Sequence, residues 1–173
     1  MALANERPGD FLLNASIVEI KDESACDPLS WFQSSQTFGS RWFWENPNED
    51  SSWVGIGNAC THSVNGPNRF ADAADFAKKL FNDLSVDGPA EAPLPRVAAG
   101  FSFENEDPKG DWSSLGAGQV TLPAIQVLRK SGRSWLTVIN DFPTVFPESN
   151  PPFPLMPAEV DPSLWSSKPE RDH

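Results

Sequence analysis

Hydrophobic and polar positions alternate with period two near the start of the chain, cluster in strand-forming runs further on, and follow helical spacing in one place. After Pro8-Gly9, residues 10–20 set Ile17 and Glu19 against Val18 and Ile20, which predicts a short strand. Residues 22–30 are polar and predict no element. Arg41-Trp42-Phe43-Trp44-Glu45 and Trp53-Val54-Gly55-Ile56-Gly57 then have strand character, and the residues between them, 46–52, are turn chemistry throughout, so the two runs predict a hairpin. Asn65-Gly66-Pro67-Asn68 breaks the chain. Beyond it Phe70, Ala73, Ala74, Ala77, Leu80, Phe81 and Leu84 form one helical stripe, and residues 70–84 are the one convincing helix. Asp72 and Asp75 precede Lys78 and Lys79 along it, matching the helix dipole, and Gly88-Pro89 stops it.

Residues 90–95 carry Pro93 and Pro95 and predict an extended connector, followed by a strand over 96–103 and an acidic loop. Two further strand-like runs, 119–128 and 134–140, flank Ser131-Gly132, a tip suited to the positive φ angles of a tight hairpin. From Phe142 the composition changes: Pro143, Pro147, Pro151, Pro152, Pro154, Pro157, Pro162 and Pro169 follow with few periodic apolar positions. The expected organisation is a sheet-and-helix unit over residues 1–141 and a Pro-rich linker or tail over 142–173. The expected fold class is α+β, a mainly antiparallel sheet with one main amphipathic helix.

Composition narrows the function more than it names one. The chain has 173 residues and carries 13 Lys and Arg against 24 Asp and Glu, a formal net charge of −11 that repels nucleic acid and anionic lipid. No apolar run is long enough to span a bilayer and no signal-peptide pattern opens the chain, so a cytoplasmic protein with neither nucleic-acid nor membrane partners is expected. Two cysteines, Cys26 and Cys60, agree with that compartment. Seven Trp and 12 Phe with no Tyr place the aromatic burial on rings that lack a phenol.

No constellation of residues announces chemistry. Cys60-Thr61-His62 puts a thiol and an imidazole on one side of a strand, but a half-buried thiol beside a surface imidazole explains the same triplet. Gly55-Ile56-Gly57 has the first glycines of a dinucleotide fingerprint, yet Cys60 stands where the last small residue belongs and no helix follows, so close packing is the better reading of Gly55. Glu104, Glu106, Asp107 and Asp111 are the densest acidic group; they lack the spacing of a calcium loop and read as a solvated loop. Trp42, Phe43 and Trp44 have only Arg41 as a basic neighbour and read as core or interface rather than a stacking platform.

Taken in order, Arg41-Trp-Phe-Trp-Glu-Asn-Pro47, Trp53-Val-Gly-Ile-Gly-Asn-Ala59, Arg96-Val-Ala-Ala-Gly-Phe-Ser-Phe103, Asp111-Trp112, Val120-Thr-Leu-Pro123 and Trp135-Leu-Thr-Val-Ile-Asn140 form a recognisable series. Over residues 38–141 it resembles the N-terminal half of the isochorismate synthases, within the chorismate-utilising enzymes related to anthranilate synthase component I. The family commonly has Tyr where Trp42 or Phe43 stands, and Ala99-Gly100 replaces its Gly-Gly. Its Leu-Glu-Ser feedback signature is not evident near Leu12-Leu13-Asn14.

The resemblance implies that chorismate and a magnesium ion are bound by the C-terminal half of such an enzyme, whose motifs do not occur before His173. Pro162-Ser163-Leu164-Trp165 looks like the start of the helix that opens that half. The expectation is therefore a truncated or frame-shifted product, inactive alone, with the missing catalytic half as its partner and magnesium belonging to the complete enzyme. Catalytic, cofactor-binding and metal residues are all expected to be absent from this chain. Trp42, Phe43, Trp44, Phe101, Phe103, Trp112 and Trp135 are expected to serve core or half-to-half packing. The complete enzyme would serve menaquinone or siderophore synthesis. The competing expectation is a non-catalytic binding module that kept the sheet and lost the chemistry.

Overall fold

The computed structural model describes residues 13–21, 26–36, 39–103, 108–110, 113 and 116–140. The acidic group Glu104, Glu106 and Asp107, the pair Asp111-Trp112 and the Pro-rich residues 142–173 lie outside them. The described residues form a mixed α+β fold with two sheets. A six-stranded sheet has the order β2-β3-β8-β9-β1-β5 and a three-stranded sheet the order β4-β7-β6. The strands are β1 (Asn14–Ile20), β2 (Arg41–Asn46), β3 (Ser51–Ile56), β4 (Cys60–Val64), β5 (Ser85–Asp87), β6 (Ala98–Phe101), β7 (Gly118–Leu122), β8 (Ile125–Lys130) and β9 (Arg133–Ile139). Two helices accompany them, α1 (Pro28–Ser34) and α2 (Arg69–Asp83). Every strand pairing is antiparallel except that of β1 with β5.

Both expected hairpins form. β2 and β3 pair with Trp44 opposite Trp53, joined by a short 3-10 turn over Pro47–Glu49. β8 and β9 meet at Ser131 (φ 51°) and Gly132 (φ 75°), both left-handed, which matches the right-handed twist of the flanking strands. The run expected over 119–128, however, is two strands. Pro123 has no N–H to give a ladder, and the chain turns there from β7 in the small sheet to β8 in the large one. Residues 57–59 turn beside it between β3 and β4, and the two corners are tied by Ala59 N–H donating to Leu122 O at 2.9 Å, while Ile139 N–H, at the end of β9, donates to Ala124 O at 2.8 Å. A single antiparallel ribbon thus runs through both sheets and bends where they meet.

The corner explains Gly55. A Cβ there would lie 2.5 Å from Cγ of Pro123 and 3.0 Å from the Trp53 ring, so the strand accepts only hydrogen at that position. Close packing, not phosphate binding, accounts for the residue.

α2 seats itself in the angle between the sheets. Leu80 and Leu84 join Leu13, Ala15 and Ile139 of the large sheet and Leu122 of the small one, while Ala73 packs with Val64 and Val120. The buried stripe is therefore turned relative to the expected one: Arg69, Ala73 and Leu80 are buried, whereas Phe70 and Phe81 are exposed. The helix also begins at Arg69 and has no basic residue in its last turn, so Lys78 and Lys79 sit too early to meet the C-terminal dipole.

α1 corrects the polar reading of residues 22–30. Asp27 caps it, its carboxylate accepting from Leu29 N–H at 3.0 Å and Ser30 N–H at 3.3 Å, and Pro28 occupies a first-turn position that needs no N–H. Trp31 is the buried anchor, set on Val54, Ile56, Ile125 and Val127. Gly88-Pro89 does not simply stop α2 either, because the short parallel strand β5 intervenes.

Gly55→Ala is expected to destabilise the chain by about 1–3 kcal/mol, because Pro123 and Trp53 must both shift. Gly100→Ala, where a Cβ meets nothing within 4 Å, is the matched control and should leave the melting temperature nearly unchanged. Thermal denaturation of the two variants beside wild type measures the difference.

Candidate functional surface

Between β5 and β6, residues 88–97 cross one face of the large sheet as a strap, which is the extended connector expected from Pro93 and Pro95. Pairing parity puts Trp53, Gly55, Gln126, Leu128, Trp135 and Thr137 on that face. Gln126 is only 3% exposed and holds the strap: its Oε1 accepts from Arg96 N–H at 2.8 Å and from Trp53 Nε1–H at 3.1 Å. That assignment commits the amide orientation and leaves the buried Nε2 without a partner. The Arg96 guanidinium lies 5.9 Å from the centre of the half-exposed Trp44 ring.

A second tether lies at the far end of the strap. Arg133 Nε is 2.6 Å from Glu19 and its NH2 nitrogen 3.3 Å from Glu91, which belongs to the strap, and the guanidinium stacks 4.4 Å over Trp135. The hydrogen bond from Arg133, followed by its charge, holds the Glu19 carboxyl below the usual range. Both groups face water, so the cluster aligns the strap more than it stabilises the fold.

At the start of α2, Arg69 is a buried charge, 3% exposed, that donates to Gly66 O at 3.2 Å and Ser102 O at 3.1 Å. It fixes the start of α2 against the end of β6 and lies 4.5 Å from the centre of the Phe70 ring. Phe70 packs against Phe101 at 4.7 Å, and Phe103 next along the chain is fully exposed. This is an apolar end with water on it.

The residues singled out for chemistry are not assembled. Cys60 and His62 do share a face of β4, but His62 stacks flat on Phe76 at 4.4 Å and Cys60 packs into the Leu80–Leu84 cluster. Burial pushes the Cys60 thiol up, the opposite of what a nucleophile needs. No disulfide joins it to Cys26, whose thiol donates to Ile20 O at 3.7 Å. Among the described residues no three His, Cys, Asp or Glu side chains come together to hold a metal. Of the aromatic residues expected in packing roles, Trp135 is buried, Trp42 and Phe43 are half-buried, Trp44, Phe101 and Phe103 are exposed, and Trp112 lies outside the described residues.

Sequence reasoning passed over Gln126, Arg69 and Arg133. A lone glutamine inside the apolar run Ile125–Leu128 was the available signal for the first, since a polar side chain there must find partners. Arg69 carried a weaker one, preceding the first apolar position of a helix.

The match to known proteins follows the two sheets. The family model described as chorismate binding enzyme matches residues 13–143, which contain all of the described strands and helices. The chain belongs to the chorismate-binding enzyme family. Isochorismate synthase MenF of Bacillus subtilis (strain 168) is 26% identical over 122 residues, covering 65% of this chain and 26% of that protein. The solved menaquinone-specific isochorismate synthase MenF from Escherichia coli aligns with a TM-score of 0.48 and 19% identity over 73% of this chain and 24% of that one. This chorismate-binding family chain thus spans about a quarter of the length of these relatives. Five of the six sequence motifs fall on its strands and corners, in β2, β3, the strap with β6, β7 with Pro123, and β9.

Gln126→Leu strips the acceptor from two donors at once, and a loss of about 1–3 kcal/mol in unfolding free energy is expected, read by denaturant titration. Cys60 should react with a thiol reagent more slowly in the folded chain than in the urea-unfolded chain at the same pH, with its rate profile displaced to higher pH. Peptide mapping after timed alkylation resolves it from Cys26.

Proposed function

We propose that this chain is the N-terminal, non-catalytic portion of an isochorismate synthase. The observation that carries the reading is the family match over residues 13–143 joined to a kinship with isochorismate synthase MenF that covers only a quarter of that protein. The complete enzyme would convert chorismate to isochorismate in the cytoplasm, for menaquinone or a catecholate siderophore.

The described residues fit a scaffold. Catalysis of this kind places a Lewis acid, a base and cationic groups for the substrate carboxylates around one point. A magnesium ion would supply the Lewis acid in the complete enzyme. Gln126, Arg133 and Arg69 are spent on tethering the strap and the start of α2. The catalytic half is the proposed partner, and the exposed Phe70, Phe101 and Phe103 are apolar surface suited to meeting it.

The purified chain with magnesium and chorismate is expected to form isochorismate no faster than a no-protein control, followed by chromatography of the products. Turnover clearly above the control overturns the non-catalytic assignment. Binding of a separately produced isochorismate-synthase catalytic half is expected, and its absence at micromolar concentrations counts against the scaffold role.

A further inference from the structure

We propose that β2 is a pairing edge for a second copy of this chain, joining two six-stranded sheets into one across a two-fold axis at Phe43. Among the described residues β2 pairs only with β3 and ends the large sheet.

The hydrogen-bond phase of the strand decides which groups face outward. Gly57 N–H donates to Ser40 O at 2.9 Å, which makes Ser40 and Gly57 a hydrogen-bonded pair. Antiparallel pairs alternate, so Trp42, Trp44 and Asn46 bond to β3 while Arg41, Phe43 and Glu45 turn their N–H and C=O groups away from it.

An antiparallel copy centred on Phe43 satisfies all three outward residues together. Phe43 then faces Phe43 of the second copy, and Arg41 faces Glu45 on both sides of the axis. These are the hydrogen-bonded type of pair, with Cα atoms about 5.5 Å apart, and opposite charges directly across a ladder attract. Trp42 of each copy falls opposite Trp44 of the other, covering a ring that is 48% exposed in the single chain. Shifting the axis to Trp42 or Trp44 leaves one outward residue outside the shared ladder and separates the charges. A strand with an exposed tryptophan and no described partner on its outer edge invites such pairing. The Arg41 guanidinium is anchored on the sheet face that Arg41 shares with Phe43 and Glu45: its Nη1 donates to Phe32 O at 2.6 Å and the group stacks over that ring.

Sedimentation velocity across the micromolar range tests this. Wild type is expected to show a concentration-dependent dimer. Glu45→Lys sets like charges across the axis, and Glu45→Pro removes an N–H that β3 does not use, so each should raise the dimer dissociation constant by about tenfold or more. Glu49→Lys makes the same charge change in the turn and should leave the constant unaltered. Circular dichroism confirms that each variant folds, and should the proline variant fail, the lysine pair still decides. A monomer throughout, a dimer indifferent to Glu45, or assembly beyond two copies overturns the proposal. So does a β2 edge that only an isochorismate-synthase catalytic half occupies.

Discussion

The bend in the β3–β4/β7–β8 ribbon is the constraint on which the other elements depend. Two strands that pair in one sheet pass together into another, with the corners side by side and closed on each other through Ala59 to Leu122, and with Ala124 held to β9 through Ile139. Packing at the bend is tight enough that Pro123 occupies the space of the Gly55 side chain. Once the sheets stand at an angle, α2 has a trough whose walls are apolar on both sides, and one short helix can close the core of both. The strap follows from the same geometry. The chain must travel from β5 at the edge of the large sheet to β6 in the small one, and the direct route lies over Trp53 and Gln126.

The polar groups of the molecule fit this picture better than they fit chemistry. Gln126, buried and bonded to a backbone N–H and an indole, acts as a peg through the sheet face, and its unpartnered Nε2 marks the cost of using a whole amide where only an acceptor is required. Arg69 does similar service at the start of α2, trading a buried charge for two backbone carbonyls. Each long polar side chain among the described interior residues holds a crossing segment in register.

Much of this was legible beforehand, and the exceptions have physical reasons. Period-two alternation located β1, strand-forming runs around turn residues located both hairpins, and the Ser131-Gly132 tip announced its own turn type. The order of motifs announced the family. Periodicity does not register a bend, however: Val120 to Leu128 reads as one apolar run because both sheets bury it, and only Pro123 hints at the break. α1 escaped because a seven-residue helix has too few turns to show a stripe, although Asp27-Pro28 is a sound start signal. The stripe of α2 was displaced because a helix lodged between two sheets is buried on two flanks, not along a single line. The candidate surface was least legible. Gln126, Arg96 and Trp44 meet only after the strap has crossed the sheet, and no local spacing encodes that meeting.

The position of β1 bears on how such a chain is made. It lies between β9 and β5, and Asn14 is bonded to Asn140, 126 residues away. Among the described strands β1 is the earliest and β9 the latest, so β1 waits for β9 before it has its antiparallel neighbour, while β2 and β3 can pair as soon as they are made. Until Ile139 arrives β1 has at most the short parallel strand β5 beside it, and a chain of this topology depends on whatever keeps Leu13, Ala15 and Ile17 from other company in the meantime.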